Sequence, residues 1–194
     1  MNRREAIARV AAITGTAMFG AEFFLTGCSP RGAEKRVAFT TQDLALMDEI
    51  AETIIPATDT PGAKAAGVGA FMAMMVKDGY DDGNYTVFRK GLEQIEKASR
   101  KRHDKRFLES SPSERTALLT DLDREAAEHT RTKSREEPPH YFKLMKELTL
   151  IGFFTSEIGS TRALRYSANP GAYDGNAPYK KGDRSWVNPT RRFN

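Results

Sequence analysis

The residues best able to do chemistry are three histidines, one cysteine, and a few acidic and glycine clusters. His103, His129 and His140 are scattered, and none stands three to five residues from another, the spacing that brings two imidazoles to one metal. His103 and His129 lie among charged neighbours and read as surface residues. His140 follows Pro138-Pro139 and precedes an apolar helix, which suits a structural role at the helix start. A catalytic role for it would need a partner such as Glu157, and no side chain has a recognisable nucleophile setting. Gly67 and Gly69 resemble part of a phosphate-binding glycine loop, but no strand precedes them and the third glycine is absent. Tyr80 to Asn84 is a turn whose acids lack the spacing and terminal glutamate of a calcium loop. A single cysteine excludes an internal disulfide and an all-cysteine metal or iron–sulfur site within the chain. The residues offer no catalytic, metal-binding or cofactor-binding set of their own.

That cysteine, Cys28, reads better as part of an address. Residues 1–27 have the layout of an export signal: Arg3, Arg4 and Arg9 lead into a weakly apolar middle. Gly15, Gly20 and Glu22 interrupt that middle, which is too short and broken to span a membrane. Arg3-Arg4 ahead of it resembles a twin-arginine signal, the route for folded proteins, with an ordinary Sec route as the alternative. Leu25-Thr26-Gly27-Cys28 resembles a bacterial lipobox, which implies cleavage before Cys28 and acylation of it. Two or more acyl chains hold a protein stably at a membrane. The other reading of Cys28 is a free, buried thiol in an uncleaved helix. On the first reading residues 28–39 are a lipidated tether, and 40–194 form a domain on the periplasmic face of a bacterial membrane.

The elements that would position any site are helical. A chain of 194 residues, 29% charged and 39% hydrophobic, fits one domain with tails and can bury a core unaided. Its 30 basic and 26 acidic residues nearly balance. The basic run Arg100 to Arg106 lacks interleaved aromatics, so it reads as a solvated helix face and not as a nucleic-acid interface. No stretch alternates with period two, which predicts an all-α domain of about five helices.

Thr40 or Thr41 caps the first helix with Asp43 in a capping box, and Leu44, Met47, Ile50, Ile54 and Ile55 form its stripe up to Pro56. The second spans about 63–77, with Met72, Met74 and Met75 filling core gaps or, as the alternative, forming a contact surface. The third spans about 85–102, with Phe88, Leu92 and Ile95 inward. Ser111-Pro112-Ser113-Glu114 opens the fourth, which buries Leu118, Leu119 and Leu122 before a charged loop over 128–137. The fifth begins at Tyr141. Phe142, Met145, Leu148, Ile151 and Gly152 form its buried face, and Leu144, Leu150, Phe153, Phe154 and Ile158 make it apolar on most sides, as in a core helix. A long irregular tail follows, punctuated by Pro170-Gly171, Asp174-Gly175 and Gly182-Asp183 and studded with Tyr166, Tyr173, Tyr179 and Trp186. Such aromatics anchor a tail either to its own domain or to a partner.

Three motifs carry a wider likeness. Thr60-Pro61-Gly62-Ala63, Thr155-Ser156-Glu157-Ile158-Gly159 and Pro170-Gly171-Ala172-Tyr173-Asp174-Gly175 make the chain resemble the gluconate 2-dehydrogenase subunit 3 family over about Thr40 to Trp186. The resemblance implies a small subunit without cofactor, bound to a large FAD-carrying flavoprotein of the glucose–methanol–choline type that oxidises a sugar, sugar acid or polyol. It also implies a cytochrome subunit with haem c as electron acceptor, and a role in maturation and export of the folded complex. On that reading Phe153, Phe154, Tyr166, Tyr173 and Trp186 are partner-contact or tail-docking residues. A lipobox is not a fixed feature of the family; here it would make the small subunit the membrane tether. The alternatives are a free-standing envelope scaffold lipoprotein, or a small enzyme with a site near His140 and Glu157.

Overall fold

A computed structural model describes residues 36–168, 176 and 178–187. Arg3, Arg4, Cys28 and Tyr173 lie outside these residues. Five α-helices are present among them: α1 (Thr41–Ile54), α2 (Val68–Asp78), α3 (Asp82–His103), α4 (Pro112–Thr132) and α5 (Tyr141–Thr155). A 3-10 turn at Phe107–Glu109 joins α3 to α4, and a π turn at Gly159–Ala163 follows α5. No strand occurs among the described residues, apart from an isolated bridge between Arg165 and Trp186. The all-α expectation holds.

Local chemistry sets most helix starts. The Thr40 hydroxyl accepts from the Asp43 N–H while the Asp43 carboxylate accepts from the Thr40 N–H, so Thr40 is the cap. Ser111 and Glu114 make the same reciprocal pair for α4, with Pro112 in the first turn. Asp81 accepts from the Asn84 N–H at 2.8 Å and thereby starts α3 at Asp82, three residues before the predicted start. The expected turn is a cap plus the first helical turn. The predicted charged loop also begins late: α4 runs through Glu128 to Thr132, because Ala126 is buried while its charged neighbours face solvent.

The second helix departs most from expectation. Residues 63–67 form a separate turn, closed by a hydrogen bond from the Val68 N–H to the Ala63 carbonyl at 3.2 Å. Gly67 sits at φ 70°, a left-handed conformation that stops the helix from beginning earlier. Having no side chain, Gly67 cannot cap α2. Asp48 on α1 does so instead, accepting from the Gly69 N–H at 3.0 Å. Neighbouring carboxylates on α1 fasten the preceding loop. Glu52 accepts from the backbone N–H groups of Ala57 and Lys64, each at 2.9 Å, and Glu49 pairs with Lys64 and Arg115.

Helix α5 is the centre of the bundle and packs against each of the other four. Its Phe142, Met145, Leu148 and Phe153 meet Met47 and Ile50 of α1, Met72 and Val76 of α2, and Phe88 and Ile95 of α3 in one core. Burying each such side chain contributes about 1.5–3 kcal/mol. Two assignments are corrected. Met74 is 53% exposed and Ile151 50% exposed, so neither fills the core.

Replacing Asp48 by Ala leaves the Gly69 N–H without its acceptor. A loss of about 1–2 kcal/mol is expected, the usual cost of a lost cap, read as a lower urea midpoint at unchanged slope. An unchanged midpoint would show that α2 does not depend on the cap from α1.

Candidate functional site

His140 and Glu157 do not form a site. They flank opposite ends of α5, whose 15 residues rise about 22 Å. His140 is the N-cap of α5, its Nδ1 accepting from the Phe142 N–H at 3.2 Å. The expected structural role at the helix start is the one observed. Its ring stacks on Tyr141 at 4.4 Å between centroids and lies 5.8 Å from His129. His129 is therefore no simple surface residue: the α4–α5 connection folds it back against His140. His103 is also sheltered, its Nδ1 3.8 Å from Glu114. Burial, then the nearby His129 charge, hold the His140 imidazole below its ordinary value despite Glu125. Burial and Glu125 push the Tyr141 phenol up to about 12, so it stays protonated. Among the described residues no three His, Cys, Asp or Glu side chains are grouped to hold a metal.

A cleft of about 470 Å³ opens between α1 and α3, floored by Leu46 and Leu92. Its charges face one another: Arg106 lies 3.5 Å from Glu96 and directs its guanidinium at the Gln42 side-chain amide, while Arg89 covers the Phe39 ring. This arrangement braces two helices and aligns no reacting pair.

The outer face of α5 is the more distinctive surface. Leu150, Ile151 and Phe154 are exposed there, with Glu147 one turn earlier. Positions 147, 150, 151 and 154 share one side of a helix. On neighbouring α2, Met74 is exposed and Phe71 packs over Gly152, where a Cβ would collide with its ring. Leu150, Ile151 and Phe154 on α5 and Met74 on α2 thus leave large apolar groups exposed on adjoining helices. No helix among the described residues is long and apolar enough to cross a membrane.

The aromatic candidates divide. Phe153 is 2% exposed and belongs to the core, so it supports the outer face from beneath and cannot itself touch a partner. Phe154 packs edge-on against it at 5.2 Å and reaches solvent. Tyr166 is 52% exposed. Trp186 docks on its own chain, bridged to Arg165, whose guanidinium lies 5.4 Å from the indole ring centroid. Leu150 and Ile151 were missed as surface residues, because periodicity does not orient a helix that is apolar on most sides.

The motif after α5 is a hinge of fixed geometry. The Ser156 hydroxyl donates to the Phe153 carbonyl at 2.6 Å and accepts from the Gly159 N–H at 3.0 Å. A Cβ on Gly159 would overlap the Phe153 carbonyl, so only glycine fits. Thr155 to Gly159 thereby ends α5 and sets the direction of the tail. Likewise Gly62, in the Thr60 to Ala63 motif, lies directly against the Glu52 carboxylate.

The sequence model of the family described as gluconate 2-dehydrogenase subunit 3 matches residues 41–171, which include α1–α5 and the hinge. The chain belongs to that family. No curated protein and no solved structure gives a significant match.

Only neutral His140 can accept from Phe142. Because its folded value lies below the unfolded value of about 6.5, its contribution is full above that pH and is lost as the pH falls toward the folded value. Urea unfolding between about pH 5 and 8 should therefore show stability falling on the acid side. His140→Asn keeps a capping acceptor without the titration and should flatten that fall. Parallel profiles for the two proteins would contradict the assignment.

Proposed function

We propose that this member of the gluconate 2-dehydrogenase subunit 3 family is the non-catalytic small subunit of a periplasm-facing dehydrogenase for a sugar, sugar acid or polyol. On this reading the catalytic partner is a large glucose–methanol–choline-type flavoprotein carrying FAD, and a cytochrome subunit with haem c takes its electrons. Arg3 and Arg4 direct twin-arginine export of the pre-folded complex, and acylated Cys28 tethers it to the membrane.

The observation that carries the proposal is the outer face of α5. Leu150, Ile151 and Phe154 lie within the family-matched segment and offer an exposed aliphatic and aromatic patch of the kind that marks protein–protein contact sites. A subunit that binds only the native flavoprotein stabilises it by mass action, which would support maturation before export. The wide separation of His140 and Glu157 removes the motive for an independent enzyme built on that pair. The remaining alternative, a scaffold lipoprotein without a dehydrogenase, lacks a use for the α5 face.

Co-expression with the flavoprotein tests the reading. Ile151→Glu with Phe154→Glu should weaken flavin co-purification by more than about 100-fold, as expected for two interface anchors, with the urea midpoint nearly unchanged. Phe153→Ala should instead cost about 3–5 kcal/mol of stability, because it opens a core cavity. Full flavin recovery with the double glutamate variant would overturn α5 as the docking face.

A further inference from the structure

The C-terminal limb presents a surface of different chemistry from α5. From Gly159 onward the sequence holds seven basic and two acidic residues, whereas residues 36–158 hold 18 basic and 21 acidic. The described part folds back on itself. The Arg165 N–H donates to the Ser185 carbonyl at 2.8 Å, and the Val187 N–H to the Arg165 carbonyl at 2.9 Å. Arg165 pairs with Asp183 at 3.1 Å, and Arg184 donates to the carbonyls of Thr161 and Arg162. Asp183 also closes the adjoining turn, accepting from the Lys180 N–H at 3.1 Å. Arg165, Arg184 and Asp183 are thus consumed in holding the limb together. Arg162, Lys180 and Lys181 remain, exposed and with no ion pair among the described residues. Tyr166 and Tyr179, 52% and 73% exposed, lie between Arg162 and Lys180 in the chain.

We propose that this limb lies on anionic phospholipid headgroups, giving the protein a membrane contact that does not depend on acylation of Cys28. Cores of protein interfaces are depleted in lysine, whereas tyrosine mixed with lysine and arginine is the composition of the membrane–water boundary. There the ring enters the interface while its hydroxyl and the ammonium groups meet phosphate. Lysine, a compact charge on a flexible stem, suits a field of mobile phosphates better than one fixed carboxylate. Near an anionic surface each such cation strengthens binding about fivefold, so the group supplies the second signal that a lipid tether gains from. The apolar face of α5 and the cationic limb would then serve two different partners.

Vesicle co-sedimentation of the full chain carrying Cys28→Ala tests this without an acyl chain. Vesicles of phosphatidylcholine alone are compared with vesicles containing about one-third phosphatidylglycerol, at about 50 and about 500 mM salt. The export signal contributes equally to parent and variant, so their difference isolates the limb. Lys180→Gln with Lys181→Gln should lower affinity for the anionic vesicles about 30-fold at low salt, have little effect at high salt, and leave the urea midpoint unchanged. Equal affinity of parent and variant would overturn the proposal. Release of the flavoprotein by the two glutamines, with vesicle binding intact, would also overturn it and assign the limb to a protein partner.

Discussion

One row of carboxylates on α1 fixes the arrangement on which the rest depends. Asp48 caps α2 across a 21-residue interval, Glu49 joins Lys64 to Arg115, and Glu52 holds two backbone N–H groups of the loop between α1 and α2. Arg115 carries the same network onward to the Phe107 and Leu108 carbonyls, at 3.0 and 2.7 Å, and so to the α3–α4 junction. Burial pushes the Glu49 carboxyl upward, but hydrogen bonding to Lys64 and the Arg115 charge outweigh it and hold the group below its ordinary value. A charge so paired is costly to strand, which makes the network directional: removing one partner harms more than replacing the whole set. Gly62 and Gly69 are consequences, since both lie where these carboxylates bring backbone close.

With α1 and α2 locked together, α5 is threaded through the bundle and buries one side against four helices. Its other side is left outward because a bundle of this size cannot surround every helix. Leu150, Ile151 and Phe154 on that side stay partly exposed in the isolated chain, and a second interface would cover them. The Ser156–Gly159 hinge then redirects the backbone, so the apolar helix and the basic limb leave the same corner of the fold with different chemistry.

Much of this was legible in sequence wherever the interaction is local. The Thr40–Asp43 and Ser111–Glu114 boxes, the inward Phe88, Leu92 and Ile95, and the capping position of His140 follow from spacing within a turn or two. Interactions between distant positions were not legible. Nothing near Gly67 announces that Asp48 will cap its helix, and nothing near His129 announces His140 as its neighbour. Trp186 looked like a contact residue because its partner, Arg165, stands far from it in the sequence. Periodicity also could not orient α5: where nearly every position is apolar, Ile151 and Phe153 look alike, yet one is half exposed and the other is core.

The central claim, that this chain works as the small subunit of a flavoprotein dehydrogenase, is tested most directly by gentle detergent extraction of the tagged native protein and its visible spectrum. The account predicts flavin absorbance in stoichiometric amount, carried by one large co-purifying chain that oxidises a sugar, sugar acid or polyol. A colourless protein recovered alone under those conditions would contradict it.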